Sequence, residues 1–491
     1  MRLCKFFLFA MLLLSAVEMA GQWRSVDDSA LSVDERMRRS DYQVWISRGG
    51  GEFEALEVRG ALVSNMDRRS ENSVNVDGAT RTLMGFVMFT DSFDRPVKVR
   101  VRRQGEPFES VEVRPSAYKI SPKRVDGQTI EFTLKEPSQK VSVEFDGDRD
   151  HNLFVIADLL DVNKPAVGPA GEGTSGEGND LIYFGPGEHE AGEIVLKSGQ
   201  RLYLDEGAVV YGRVVASDAH DIAVLGRGIL CGSRNVHDFN TRKILAEFIR
   251  CTDVTIDGIM MRASPSWTVT AICCKGFTIN NMKHICWMRN SDGIDICGTS
   301  DVIIRNCFMR NYDDNISLKV LSWARANVEN VVVEDCVFWA DCAHNLLVGP
   351  ESQEGFEMRN IRFSRCTLLE GRETADPWRG TIAIMVSDEG SFKDVTFEDI
   401  TIDKVRGGMP FSVDFCKYET RGRKAKDIII RNISYTGEQP TPQSVIRGLD
   451  PQHRVENVLI KNVKINGTTI TRRNFSELVV TNDFVSGLEI R

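Results

Sequence analysis

The sequence predicts an all-β protein in which an N-terminal antiparallel β-sandwich precedes a parallel β-solenoid. Three observations support this prediction. A short phrase of alternating apolar and polar residues recurs through the second half of the chain, unrelated short alternating runs fill the first part, and the repeating units carry no helical stripe. With 491 residues, the chain is long enough to form two domains.

Residues 1–20 have the layout of a secretory signal peptide. A basic start precedes an apolar run from Phe6 to about Val17, and small residues follow up to Ala20. The run is too short for a permanent membrane span, and no later segment approaches the roughly 20 apolar residues that spanning requires. We therefore expect a secreted or periplasmic protein without a membrane span.

The net charge of the chain disfavours polyanionic partners. It is -9 at pH 7, with a pI near 5.5, so no general basic surface is available for nucleic acid. A local basic cleft could still hold an anionic ligand. We expect no nucleic-acid partner.

Residues 22–160 are predicted to form the β-sandwich. Short alternating strands are separated by turn residues and do not share the register of the later repeat. The runs are YQVWISR, EFEALEVRGALVS, TLMGFVMFT, VKVRVRR, ESVEVRP, TIEFTLK and KVSVEFDG. Residues 161–180 are rich in Gly and Pro and are predicted to be a linker or surface loop.

Residues 181–491 are predicted to form the solenoid. Eight copies of one phrase have apolar residues at the second, fourth and seventh positions, and their starts are 23 to 34 residues apart. A unit of this length with period-two alternation is typical of one coil of a stacked parallel β-solenoid. The copies are DVTIDGI (253–259), GFTINNM (276–282), DVIIRNC (301–307), NVVVEDC (330–336), NIRFSRC (360–366), DVTFEDI (394–400), DIIIRNI (427–433) and NVLIKNV (457–463).

The cysteines fit the core of this solenoid. Cys307, Cys336 and Cys366 occupy the seventh position, which aliphatic residues fill in the other copies. Stacked coils hold equivalent residues about 4.8 Å apart, but with parallel Cβ directions, so we expect a ladder of thiols and no disulfides between them. No CxxC or Cys/His cluster has metal-ligand spacing, and we expect no metal and no cofactor.

Four aspartates lie close together in the stretch NSDGIDICGTSDVIIRNCFMRNYDDNISLK, residues 290–319. Asp292 precedes Asp313 by 21 residues, close to one turn of the solenoid, so Asp292, Asp313 and Asp314 are expected in one patch. Neighbouring carboxylates repel and raise one another's pKa. Glycoside hydrolysis uses such an arrangement, because one carboxyl stays protonated as an acid while another activates water. The alternative is that the aspartates cap turns or bind calcium, and for Asp295, inside DGID, a turn role is a strong competitor.

These motifs resemble those of a known enzyme family. NSDGID followed by DDNISLK is similar to the NTDGxD and DDCIAIK signature of glycoside hydrolase family 28, the polygalacturonases and rhamnogalacturonases, which are right-handed parallel β-helices. The stretch from residue 113 to 158 resembles the β-sandwich that precedes the helix in family 49 dextranases of the same clan. Together the resemblance covers nearly the whole chain after the signal segment.

The resemblance implies roles for individual residues. Asp313 becomes the general acid, and Asp292 and Asp314 become the pair that deprotonates the attacking water. The family inverts configuration, which suits acid and base carboxyl groups about 6.5–9.5 Å apart. The catalytic site would then act on a polysaccharide or oligosaccharide.

Four further residues are candidate substrate ligands by position in the same motifs. Asn290 opens the first motif, and Asp295 closes it. Lys319 stands where the family has its lysine, although a solvent-facing lysine at a strand end is the alternative. His344, in CAHNLLVGPE, corresponds best to the family histidine, and a purely structural histidine is the alternative.

One departure from the family bears on specificity. Polygalacturonases carry Arg-x-Lys on the next coil to hold the substrate carboxylate, whereas TIAIMVSDEG places Ala383 and Met385 there. Arg379 could supply a cation from a loop. Plain homogalacturonan is therefore a less favoured substrate than a neutral or branched glycan. Sugar-stacking candidates near the cleft, each equally able to pack in the core, are Trp287, Trp339 and Trp378.

Two other functional classes are compatible with parts of this pattern. A calcium-dependent lyase for uronic acids would use the aspartates as metal ligands and would need a basic residue near the α-proton. A non-catalytic glycan-binding protein would use the solenoid surface, but it would have no need for three crowded carboxylates. Sensitivity to chelators separates the lyase from the hydrolase.

Overall fold

The computed structural model describes residues 40–64, 81–137, 139–162, 164–166, 180–235, 243–371, 380–415 and 423–491. The predicted signal peptide, most of the predicted linker, Trp378 and Arg379 lie outside the described residues. Among the described residues, no helix is long and apolar enough to cross a membrane. The helical elements that are described are a 3-10 turn at Ser116–Tyr118 and α1 at Phe475–Leu478.

The N-terminal part forms two five-stranded sheets that face each other. Alternate residues of both sheets fill the space between them, including Val44, Val99, Phe132 and Val143. One sheet has the order β2-β1-β5-β8-β7 and the other β3-β4-β10-β9-β6. The strands are β1 (Tyr42–Arg48), β2 (Glu54–Leu56), β3 (Arg59–Ser64), β4 (Arg81–Asp91), β5 (Val97–Arg103), β6 (Val111–Arg114), β7 (Lys123–Arg124), β8 (Thr129–Leu134), β9 (Val141–Phe145) and β10 (Leu153–Leu159).

The predicted antiparallel β-sandwich is confirmed, and it contains one parallel pair of strands. β10 runs parallel to β4, with Leu153 opposite Gly85 and Leu159 opposite Asp91. Between these two strands the chain crosses to the other sheet and returns, so β10 re-enters beside β4 in the same direction. All the other pairs in the two sheets are antiparallel.

From residue 181 on, the described residues wind as a right-handed parallel β-helix with 31 strands, of which β38 alone pairs antiparallel with its neighbour. Its strands are β11 (Leu181–Phe184), β12 (Gly187–Val195), β13 (Arg201–Leu204), β14 (Ala208–Ser217), β15 (His220–Gly226), β16 (Ile229–Cys231), β17 (Ala246–Ile249), β18 (Thr252–Asp257), β19 (Met260–Arg262), β20 (Val269–Ile272), β21 (Lys275–Asn280), β22 (Lys283–Ile285), β23 (Ile294–Cys297), β24 (Ser300–Arg305), β25 (Phe308–Asn311), β26 (Ile316–Val320), β27 (Val328–Glu334), β28 (Val337–Ala340), β29 (Leu346–Ser352), β30 (Glu357–Ser364), β31 (Thr367–Glu370), β32 (Ile382–Val386), β33 (Ser391–Val405), β34 (Phe411–Phe415), β35 (Lys424–Gly437), β36 (Ser444–Ile446), β37 (Val455–Ile465), β38 (Thr468–Thr469), β39 (Val479–Thr481), β40 (Val485–Ser486) and β41 (Glu489–Ile490).

The coils stack into three long faces. Sheet 1 contains β17, β20, β23, β26, β29, β32, β34, β36 and β39. Sheet 2 contains β15, β18, β21, β24, β27 and β30, and it continues through the first parts of β33, β35 and β37. Sheet 3 contains β16, β19, β22, β25, β28 and β31. Apolar residues that point inward from all three sheets form one continuous core.

The eight copies of the repeated phrase form strands, as predicted, and they are eight of the nine strands of sheet 2, which begins with β15. Val254 lies opposite Phe277, and Phe277 lies opposite Val302, so equivalent positions of the phrase stack directly. The first residue of every copy has a left-handed backbone, a conformation that Asp, Asn and Gly tolerate best. These residues are Asp253, Gly276, Asp301, Asn330, Asn360, Asp394, Asp427 and Asn457. The phrase therefore encodes a corner followed by a strand.

The predicted thiol ladder is confirmed. Cys307, Cys336 and Cys366 are buried in the helix core, and all of the described cysteines are free. The Cys307 N–H lies 3.4 Å from the Cys336 sulfur, as expected for side chains that stack in parallel.

The sandwich packs against sheet 3 of the helix. Strands β3, β4 and β10 contribute apolar residues such as Phe86, Phe154 and Ile156, which meet Phe308 and Trp339 of sheet 3. The rings of Phe154 and Phe308 make an edge-to-face contact with centroids 4.7 Å apart. Sheet 3 is thereby covered, and sheet 1 stays on a different side of the helix from this contact.

Buried ion pairs reinforce the same contact. Arg310 donates to Asp341 on the next coil at 2.9 Å and to the Arg149 carbonyl of the sandwich at 2.9 Å. Arg114 of the sandwich donates to the Leu369 carbonyl at 2.8 Å. Loss of one partner would leave an unpaired charge buried at this contact, which would destabilise the fold. These charged groups therefore fix how the sandwich sits on sheet 3.

Candidate active site

The carboxylates that the sequence singles out lie at the start of two neighbouring strands of sheet 1. Ile294 of β23 stands opposite Ile316 of β26, so Asp292 and Asp314, each two residues earlier, occupy equivalent places in successive coils. Asp313 precedes Asp314 by one residue. One oxygen from each of the three carboxylates lies within 4.8 Å of the others. The predicted patch of three aspartates is therefore present.

The backbone around these aspartates is tied from coil to coil. The Gly293 N–H donates to the Asp314 carbonyl at 2.7 Å, and the Thr268 N–H donates to the Asp292 carbonyl at 2.8 Å. Gly293 is required by close packing, since a Cβ at this position would lie 2.6 Å from the Asn315 carbonyl oxygen. The DG dipeptide of the motif thus lets two coils approach where their carboxylates meet.

A polar layer beneath the carboxylates supports the same backbone. The buried imidazole of His284 contacts the Thr268 hydroxyl at 2.9 Å and the amide oxygen of Asn311. The Asn311 side chain in turn donates to the Asp314 carbonyl at 3.3 Å. Burial lowers the pKa of His284 to about 3, so this histidine is a neutral structural group. No motif in the sequence indicated it.

Asp313 is the most accessible of the three carboxylates. Asp292 and Asp314 are buried, whereas Asp313 is partly exposed. Its two oxygens accept hydrogen bonds from the N–H groups of Asp314, at 3.1 Å, and Asn290, at 3.2 Å. Burial, followed by the charges of Asp292 and Asp314, raises the pKa of Asp313 well above its usual range. The pKa of Asp313 is thus raised, whereas that of its neighbour Asp314 is lowered.

Lys319 joins Asp292 to Asp295. Its ammonium group lies 2.9 Å from a carboxylate oxygen of each, and it sits 4.1 Å from the ring centre of Trp267. Burial alone would lower the pKa of Lys319, but the surrounding carboxylates, Asp292 foremost, raise it well above its usual range. Burial raises the pKa of Asp292, against the attraction of Lys319. The alternative of a solvent-facing lysine is wrong.

Asp295 does not cap a turn. It lies within β23, opposite Thr270 and Ser317, and points away from the helix core that its neighbours Ile294 and Ile296 enter. It is fully buried. Because its position is in a strand and its partner is Lys319, the turn interpretation is wrong, and Asp295 belongs to the charge network of the site.

His344 lies beside Asp314 on the next coil. Its Nδ1 is 2.7 Å from Asp314 Oδ1, and its backbone N–H donates to the same oxygen at 3.0 Å. Burial would raise the pKa of Asp314, but the charge and hydrogen bonds of His344 outweigh it and hold this pKa below its usual range. The Nε2 atom of His344 is buried and has no hydrogen-bond partner in the described structure.

Asn290 acts on the site through its backbone. Its φ of 56° is left-handed, which asparagine tolerates, and this turn directs its N–H to Asp313. Its side-chain oxygen is buried without a hydrogen-bond partner among the described residues. Asn290 is thus adjacent to the predicted acid, as its place in the motif indicated.

The two predicted sugar-stacking residues that the structure describes are both buried, and one of them lies away from the three aspartates. Trp339 is fully buried in sheet 3, where the guanidinium groups of Arg310 and Arg114 lie 4.3 and 5.3 Å from its ring. Trp287 is buried, and its carbonyl is 3.4 Å from the Ser64 hydroxyl of the sandwich. Trp339 is a packing residue because the sandwich covers sheet 3, which the repeat pattern could not reveal.

Apolar residues replace the family's cation pair on the cleft side of sheet 1. Ala383 and Met385 are buried with Leu347 in a small cluster. Glu351, which the motifs did not single out, adds its charge to the site and acts on both Asp292 and Lys319. Glu351 and Asp295 thus add negative charge to a site whose basic side chains, Lys319 and His344, are already paired with aspartates.

The three aspartates also form the one group of His, Cys, Asp and Glu side chains, among the described residues, that is close enough to hold a metal ion. Calcium takes six to eight oxygen ligands, and an ammonium group 2.9 Å from Asp292 already supplies positive charge there. These three carboxylates therefore suit a site in which one carboxyl holds a proton better than they suit a calcium site.

Comparisons with known proteins identify the family. The model of the glycosyl hydrolases family 28 matches residues 231–481, and the chain belongs to this family. Polygalacturonase QRT2 of Arabidopsis thaliana is 21% identical over 230 residues, which are 45% of this chain and 47% of that protein. Probable exopolygalacturonase B of Neosartorya fischeri is 24% identical over 223 residues, 40% of this chain and 46% of that protein. The chain thus spans about half the length of these curated relatives.

Solved structures share the fold. Dex49A from Penicillium minioluteum superposes with a TM-score of 0.64 at 16% identity and covers 92% of this chain and 94% of its own. A hyperthermoactive exopolygalacturonase from Thermotoga maritima superposes with a TM-score of 0.52 at 17% identity over 63% of this chain and 83% of its own. The extent of the first match confirms the expected likeness to the dextranase architecture.

The pKa of Asp314 tests the electrostatics of the site. His344→Gln removes the imidazole whose interaction with Asp314 lowers the pKa of that carboxyl, so this pKa should rise. Carbon NMR of labelled carboxyl groups measures the change. His453→Gln is a matched control, because His453 makes a similar pair with Asp450, 2.6 Å away, at another place in the chain. An Asp314 pKa that is the same in His344→Gln as in the wild type would contradict the assigned cause.

Proposed function

We propose that this protein is an inverting glycoside hydrolase that acts on a neutral or mixed glycan and does not favour plain homogalacturonan. The observation that carries the proposal is the contact of three carboxylates within 4.8 Å in surroundings that push their pKa values in different directions. Such a divergence separates an acid from a base within one site.

Asp313 is the proposed general acid. Its raised pKa keeps a proton available, and its partial exposure lets a glycosidic oxygen approach. When Asp313 gives its proton to that oxygen, the bond between the oxygen and the anomeric carbon breaks, and the leaving sugar departs as an alcohol.

Asp292 and Asp314 are the proposed bases for the attacking water. Two hydrogen bonds of about 2.7 Å can bridge oxygens that are less than about 5.4 Å apart, so one water can bind both carboxylates. The water adds its oxygen to the anomeric carbon and loses a proton to this pair. Lys319 and His344 hold the two bases in place, and the buried Nε2 of His344 is available to a substrate hydroxyl.

Inversion stays a prediction. The expected separation of about 6.5–9.5 Å refers to carboxyl groups, while the 4.8 Å limit refers to their nearest oxygens. We favour inversion because Asp292 and Asp314 are matched positions of adjacent coils that can share water, while Asp313 lies outside this pair. A retaining mechanism would instead require one of them to attack the sugar directly.

The proposed substrate class follows from the charges at the site. Lys319 is occupied by Asp292 and Asp295, Ala383 and Met385 supply no cation, and Glu351 adds negative charge. A chain of uronic acids would bring further negative charge into this cleft at an electrostatic cost. Arg379 remains a candidate ligand, outside the described residues.

The rest of the proposal concerns the organisation of the chain. Residues 22–160 serve as a non-catalytic domain that is fixed to sheet 3, residues 161–180 are a connection, and residues 181–491 carry catalysis. The signal-like residues 1–20 support a secreted or periplasmic location. The mechanism needs no cofactor. A lyase is less favoured because Lys319, the basic residue of the site, is held in two ion pairs.

Asp313→Asn keeps the shape of the acid but removes its transferable proton. Turnover should fall by roughly 10² to 10⁴ while substrate binding persists. Initial rates of reducing-end release, measured with and without EDTA on the best polymer of a pectic, glucan and algal panel, provide the test. Asp335→Asn, an exposed position paired with Arg365, is the control. Near-normal turnover of Asp313→Asn would eliminate the acid assignment, and loss of activity in EDTA would favour the calcium-dependent lyase.

The specificity prediction concerns polygalacturonate. Its turnover should be weak or absent beside the best neutral or mixed polymer in the same panel, because no cation pair receives its carboxylates. The double variant Ala383→Arg with Met385→Lys should raise the relative rate on polygalacturonate if it folds. Robust turnover of polygalacturonate by the wild-type protein would by itself show that another cation binds the substrate carboxylates.

A further inference from the structure

The connection from sheet 1 to sheet 2 becomes longer in the coil that carries the proposed acid, directly after the strand that contains Lys319. Sheet 1 strands connect to sheet 2 through residues 273–274 and 298–299 in the two preceding coils, whereas residues 321–327 make this connection after β26. The longer connection begins immediately after the strand that carries Lys319. It is therefore placed beside the charge network of the site.

This connection is anchored on the outer surface of sheet 1. Leu321 and Ala324 are buried in an apolar cluster with Trp267 and Cys297. The Ala324 N–H donates to the Leu321 carbonyl at 3.0 Å, and a Cβ at Gly298 would lie 2.8 Å from the Ala324 carbonyl oxygen. The connection therefore presses directly on the preceding coil.

Trp323 lies between these two anchors and is 61% exposed. A large aromatic side chain is normally mostly buried, and both of its anchoring neighbours are. Among the described residues with large exposed apolar side chains, Trp323 is the one aromatic. The others are Val125, Leu159, Leu160, Val162, Val195, Ile303 and Val480.

Two contacts link the anchors of Trp323 to the proposed bases. Leu321 and Ala324 belong to the same cluster as Trp267, and the Trp267 ring lies 4.1 Å from the Lys319 ammonium group. Lys319 in turn pairs with Asp292 at 2.9 Å. The backbone that carries Trp323 is thus held in a fixed relation to the proposed catalytic carboxylates.

We propose that Trp323 forms a sugar-binding subsite at the edge of the cleft, where a pyranose ring of the substrate chain stacks on the indole. One face of a pyranose presents mainly C–H groups, which match an exposed aromatic face, while its hydroxyls stay hydrated. On two later connections along the same edge, Glu389 and Arg423 form a pair 3.3 Å apart that offers exposed polar groups. This subsite rests on the proposed function for its substrate class.

Affinity electrophoresis tests the subsite separately from catalysis. The Asp313→Asn protein is run through gels that contain dextran, xyloglucan, arabinogalactan, rhamnogalacturonan or polygalacturonate. On the polymer that retards it most, adding Trp323→Ala should weaken binding roughly tenfold. Trp323→Phe keeps an aromatic face and should weaken it less. Trp45→Phe, in the sandwich, is the matched control and should leave retardation unchanged.

Each outcome bears on the proposal. Equal retardation of the parent and Trp323→Ala would overturn it, as would a parent that none of the five polymers retards. A change in sedimentation of Trp323→Ala with unchanged glycan binding would instead assign this residue to a contact between copies. If Trp323→Ala loses binding but the wild-type protein hydrolyses none of the five polymers, the subsite stands and the proposed hydrolase function fails.

Discussion

The hydrogen bond from the Gly293 N–H to the Asp314 carbonyl, 2.7 Å long, fixes the register of the two coils that carry the three clustered aspartates. A slip by one residue would turn each side chain of the strand to the other face. Asp292 would then lose its place beside Asp314, and inward residues such as Ile294 would leave the core. The register that builds the core of the helix is thus the register that assembles the site. The stability of the helix and the geometry of the site therefore depend on the same hydrogen bonds between coils.

The crowding of negative charge is offset by two positive partners that belong to the same stack. Lys319 neutralises Asp292 and Asp295 from within sheet 1, and His344 binds Asp314 from the following coil. Neither partner pairs with Asp313, whose carboxyl accepts two backbone hydrogen bonds. The difference in pKa between Asp313 and Asp314 therefore comes from which coil supplies a cation. The sandwich stays away from this chemistry, because it packs on sheet 3.

The repeat and the aspartate motifs predicted most of this arrangement from sequence. The period-two phrase located the strands of sheet 2, since each copy stacks on an identical pattern, and the 21-residue step located the carboxylate patch. The burial and contacts of individual side chains were not predictable, because they depend on which other part of the chain covers each face of the helix. Trp339 was expected near the cleft but lies beneath the sandwich, and Lys319 was as compatible with solvent as with its two buried partners. Trp323 has no repeated counterpart, so only its exposure in the folded chain distinguishes it.

The stereochemistry of the first product tests the central claim most directly. If Asp313 is the acid and Asp292 with Asp314 activates water, attack comes from the face opposite the leaving group. Proton NMR that follows the anomeric signals during the first minutes of hydrolysis, before mutarotation, should show the inverted anomer of the newly formed reducing sugar. Initial appearance of the retained anomer would contradict the account, because one of the three carboxylates would then have to attack the sugar itself.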